Sequence, residues 1–77
     1  MKIRINHPMA DTISVVDHSF AYAGPNSVEI AFFREGDWVI DPIPDFREWH
    51  DGSDGDTSVY AYVPRNLVDD FISQWQH

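Results

Sequence analysis

Residues 57–75 read TSVYAYVPRNLVDDFISQW, and this stretch decides the fold. As far as Val63 the side chains alternate. Val59, Ala61 and Val63 share one parity, and Ser58, Tyr60 and Tyr62 share the other, which is the period of a strand. After Pro64 the period changes. Leu67, Val68, Phe71, Ile72 and Trp75 follow at i, i+1, i+4, i+5 and i+8, one apolar stripe at helical spacing. Asn66, Asp69, Asp70, Ser73, Gln74 and Gln76 take the polar side. Proline suits the junction, because the first helical residue needs no backbone N–H, so Pro64 is expected there.

Working back along the chain, the pattern is that of strands. Ser27–Phe33 alternates most clearly, with Val28, Ile30 and Phe32 against Glu29, Ala31 and Phe33. Arg34–Asp37 reads as a hairpin loop in which Gly36 supplies a positive φ. Trp38–Ile40 is expected to return as the partner strand until Pro42 and Pro44, which cannot donate to a ladder, end it. Lys2–Asn6 alternates Ile3 and Ile5 with Lys2, Arg4 and Asn6. Thr12–Ala23 is rich in β-formers, but its phase slips, which predicts a bulge or tight turn near Asp17. Gly24–Asn26 reads as a turn. Asp45–His50 reads as one helical turn with Phe46 and Trp49 on one side. The expected class is therefore α+β: a four- or five-stranded, mostly antiparallel sheet with the C-terminal helix across one face. Ile3, Ile5, Val28, Ile30, Phe32, Val59, Ala61 and Val63 are expected to receive the helix, and residues 1–77 form a single domain.

Composition narrows the function classes. The chain has 77 residues, no cysteine, 43% hydrophobic residues and a formal net charge of −8. No disulfide or thiolate metal site can support so small a core. The charge argues against direct contact with nucleic acid, where affinity comes mainly from Lys and Arg, and against an anionic membrane surface. No apolar run approaches a membrane span, and the N-terminus lacks the apolar region of a signal peptide. A cytoplasmic location is expected.

The charge is also unevenly placed. Eight of the thirteen acidic residues fall between Glu35 and Asp56, with Arg47 the sole cation inside that stretch. Carboxylates two apart on an extended chain stand about 6.6 Å apart on one face, comparable to neighbouring phosphates on a nucleic-acid strand. Asp37, Asp41, Asp45, Glu48, Asp51, Asp54 and Asp56 are therefore candidate contacts to a basic protein surface, foremost that of a nucleic-acid-binding protein. Small phage inhibitors of the anti-CRISPR and anti-restriction kinds use such mimicry, although no motif here matches one of their families. The competing reading is a solvated acidic surface that aids solubility.

Asp51–Asp56 resembles a calcium loop, but neither register of the EF-hand pattern fits: one puts His50 at position 1, the other puts Asp56 at position 6. His7, His18, His50 and His77 have no zinc spacing. No nucleophile motif, phosphate-binding Gly loop or distinct acid/base pair is present, so neither an enzyme nor a cofactor is expected. A second reading places Tyr60, Tyr62 and Phe33 on the open sheet face as the anchors of an accessory or structural module. The alternative for these aromatics is a small core under residues 45–56 with Phe46 and Trp49. Binding of calcium or a small molecule is a third reading.

Overall fold

The computed structural model describes residues 1–17, 25–51 and 58–77. Among these residues six strands form one sheet: β1 (Lys2–His7), β2 (Ala10–Val16), β3 (Ser27–Arg34), β4 (Asp37–Trp38), β5 (His50–Asp51) and β6 (Val59–Pro64). All described pairings are antiparallel, in the order β1-β2-β3-β6-β5, with β4 paired to the end of β3. A 3-10 helix (Pro44–Trp49) precedes β5, and α1 (Arg65–Trp75) follows β6. The α+β class read from the sequence is the architecture found.

Cross-strand register sorts the side chains, because directly paired residues share a face. Ile3, Ile13 and Phe32 form one inward row, and Val15, Ile30, Tyr60 and His50 form the next. Val68 and Phe71 of α1 close over them with Phe46 of the 3-10 helix, giving one continuous buried cluster. Its centre is aromatic. Phe71 lies 5.0 Å from Phe46 and 5.6 Å from Phe32, and Phe32 lies 5.4 Å from Tyr60, ring centre to ring centre.

Two features depart from the sequence expectation at β6. Val28 pairs Val63, but Ile30 pairs Tyr60, so β6 carries one extra residue between those pairs. Tyr62, within that interval, has φ 54°. Such a bulge reverses the parity of the strand. The inward residues are Tyr60 and Val63, whereas Val59 and Ala61 are half-buried and Val59 lies in an outward row with Ala31. The expectation that Val59, Ala61 and Val63 together receive the helix holds for Val63 alone. Pro64 also shifts by one place: it ends β6 as the residue before α1, and the helix starts at Arg65. Arg65 donates its amide to the Asn26 carbonyl at 2.9 Å and pairs its guanidinium with Asp17.

The β3–β4 connection is the two-residue turn expected of a tight hairpin. Glu35 and Gly36 both take positive φ, 52° and 84°, the mirror-image geometry that matches strand twist. The returning strand is shorter than read from the sequence, covering Asp37–Trp38 and not Trp38–Ile40. Val39 nevertheless donates to the Phe32 carbonyl at 2.9 Å. Ile43 and Phe46 are buried and pin the following segment to the core. β2 ends at Val16, and of the stretch in which a bulge or tight turn near Asp17 is expected, residues 18–23 lie outside the described residues.

Candidate protein-binding site

The acid-rich segment runs from the β3–β4 turn, through the 3-10 helix, to β5. Its described carboxylates divide among several places. Glu35, Asp37 and Asp41 line a cleft of about 450 Å³ together with Pro8, Met9, Arg34, Trp38, Val39 and Ile40. Asp45 borders a smaller depression on the helix side, with Leu67, Asp70 and Gln74. Glu48 is exposed on the 3-10 helix. Asp51 is half-buried in the outward row of Val59 and Ala31, at the β5 edge. Asp54 and Asp56, and with them most of the loop that resembles a calcium site, lie outside the described residues.

The cleft is built by two adjoining turns. Arg34 donates from Nη1 to the Pro8 carbonyl at 3.0 Å, and the Glu35 amide donates to Asp11 Oδ2 at 2.8 Å. The Thr12 hydroxyl donates to Asp11 Oδ1 at 2.9 Å. These donors favour the ionised carboxylate, first the Glu35 amide and then the Thr12 hydroxyl, and hold the Asp11 pKa below its ordinary value. Asp11 thus anchors a left-handed glutamate that sequence reasoning did not single out. The signal for it was present: a Glu-Gly pair between alternating strands forces Glu35 into the turn.

The three aromatic candidates separate. Tyr60 is fully buried, which corrects its placement on the open face. Its hydroxyl accepts the Ile43 N–H at 2.9 Å, so it fastens the acid-rich segment from beneath and does not meet a partner. Burial pushes its pKa up. Tyr62 is 55% exposed at the bulge. Phe33 is half-buried in the outward row Arg4, Thr12, Phe33, Trp38. Its ring lies 4.8 Å from that of Trp38, with the Lys2 ammonium 5.2 Å above it. The alternative packing with Phe46 describes Tyr60, whose ring lies 6.4 Å from that of Phe46, but within the main core and not in a second one.

A polar pair joins β5 to the residue that precedes β6. His50 Nε2 lies 2.6 Å from Ser58 Oγ, and the His50 ring lies 5.0 Å from that of Tyr60. Ser58 has no accessible surface, so the pair ties strands together and presents no nucleophile to solvent. Among the described residues no group of three or more His, Cys, Asp or Glu side chains is arranged to hold a metal ion. No described helix is long and apolar enough to cross a membrane. No family model, no curated protein and no solved structure matches this chain.

Proposed function

We propose that the protein is a non-enzymatic binding module that engages a basic surface on a partner protein. The surface that suits it best is the nucleic-acid groove of a defence or regulatory complex, which its carboxylates would occupy in place of phosphates. One observation carries the reading: every acidic residue from Glu35 to Glu48 faces solvent, while Ile43 and Phe46 of the same segment are locked in the core. Charges on an anchored segment are pre-positioned, so little ordering cost opposes binding. Their field also raises the rate of encounter with a basic partner.

The test is a variant with Asp37→Asn, Asp41→Asn, Asp45→Asn and Glu48→Gln, titrated against a purified partner recovered from the native host. Single rim charges contribute less than about 1 kcal/mol each, so the four are changed together. The variant should fold normally, associate far more slowly at low salt, and approach wild type as salt rises. Equal association at low salt would assign the charge to solubility alone.

A further inference from the structure

The cleft at the two turns combines features that a purely charged surface does not need. Three carboxylates, Glu35, Asp37 and Asp41, share it with the flank of Met9 and with Trp38 and Ile40. Trp38 and Ile40, which both line the cleft, are 38% and 45% exposed. A phosphate-like row would be served by carboxylates alone. An indole beside carboxylates, with an aliphatic surface next to it, matches a planar, weakly hydrated cation on an aliphatic stem.

We propose that this cleft recognises an arginine side chain in an exposed segment of a partner protein. The proposal rests on the binding reading above and names the partner's chemistry. The guanidinium would stack on Trp38 while its N–H fork meets the surrounding carboxylates, and a neighbouring aliphatic residue would cover Ile40. Lysine offers a compact, strongly hydrated charge with no planar face, so it should fit less well.

Three observations support arginine as the occupant. The charge is complementary, because the lining carries three acidic residues and one basic one, and that one, Arg34, already donates to the Pro8 carbonyl. The same aromatic row already holds a cation, since the Lys2 ammonium sits over Phe33, whose ring touches Trp38. The walls are braced by the Arg34–Pro8, Glu35–Asp11 and Val39–Phe32 hydrogen bonds, so the cleft needs no rearrangement to receive a side chain.

The experiment uses the full chain labelled with ¹⁵N and three short, otherwise identical peptides carrying Leu-Arg-Leu, Leu-Lys-Leu or Leu-citrulline-Leu at their centre. Citrulline keeps the shape of arginine and removes the charge. The arginine peptide should shift the amide signals of Met9 and of residues 35–41. It should bind about tenfold more tightly than the lysine peptide, and the citrulline peptide should not bind. Trp38→Ala should weaken binding of the arginine peptide about tenfold, whereas Trp38→Phe should retain most of it. Asp37→Asn with Asp41→Asn should weaken it further while leaving the circular dichroism spectrum unchanged.

Equal affinity for arginine and lysine, or shifts confined to other surfaces, would overturn the arginine site. Such a result together with salt-dependent binding of the whole partner would leave the broader reading standing. Absence of binding to both the peptide and the partner would sink the two together.

Discussion

Tyr60 shows how one side chain changes its meaning between sequence and structure. Its parity partners Ser58 and Tyr62 are polar and aromatic, so the alternation assigns it to an outer face. The bulge at Tyr62 reverses that assignment, and nothing in the sequence announces it, because a left-handed residue is ordinarily marked by Gly or Asn and here it is tyrosine. What places Tyr60 inside is a polar requirement as well as an apolar one: the buried Ile43 N–H needs an acceptor, and the phenol supplies it. Tyr60→Phe keeps the ring and orphans that N–H. The cost should be about 1–3 kcal/mol, read as a lower urea midpoint at unchanged slope. A variant as stable as wild type would mean that the hydrogen bond contributes nothing.

At the scale of elements, what the sequence made legible follows its periodicity. β3 was plain because Val28, Ile30 and Phe32 are all large and all inward, and the stripe of α1 was plain for the same reason. The stripe was too generous at its N-terminal end, where Leu67 remains exposed beside Asp70. The cleft was illegible, because it is assembled from turns 26 residues apart, whose adjacency depends on the β1-β2-β3 register. Phe71 is the hub of the helix contact, touching Phe32, Phe46 and His7. Phe71→Ala should cost about 3–5 kcal/mol, a large share of the roughly 5–15 kcal/mol expected of a whole domain. A wild-type melting midpoint would refute this packing.

His7 couples β1 to the far end of α1 and makes that contact sensitive to acid. Its ring lies 4.6 Å from that of Trp75, and its Nδ1 accepts the Met9 N–H at 3.0 Å, which requires an unprotonated nitrogen. Burial holds its pKa below 6.5, and the Asp45 carboxylate offsets this only in part. Above pH 6.5 the neutral ring is present in both states and its contribution is complete. As pH falls below 6.5 the unfolded chain binds the proton first, so stability is lost until the folded-state pKa is passed. His7→Asn retains an acceptor but cannot titrate. Its melting temperature should therefore fall less between pH 7 and 5 than that of wild type, and identical profiles would exclude His7 as the sensor.

For the molecule as a whole, charge and shape divide the work. The inner face of the sheet, α1 and the 3-10 helix supply the stability, while the exposed carboxylates supply the long-range field of a chain at −8. That field also keeps copies apart, but salt screens it. A second safeguard lies at the margin of the sheet. β1 is an edge strand, and Gln76, just past α1, forms an antiparallel bridge to Ile5 at its middle. An open edge is a template on which further chains can add, so this one bridge interrupts a potential seed for fibre growth. A chain stopped at Trp75 should fold yet scatter more light than wild type in concentrated, high-salt solution, where repulsion no longer hides an uncovered strand. On that outcome Gln76, by capping the middle of β1, is a brake on polymerisation whose value appears only when the protein is crowded.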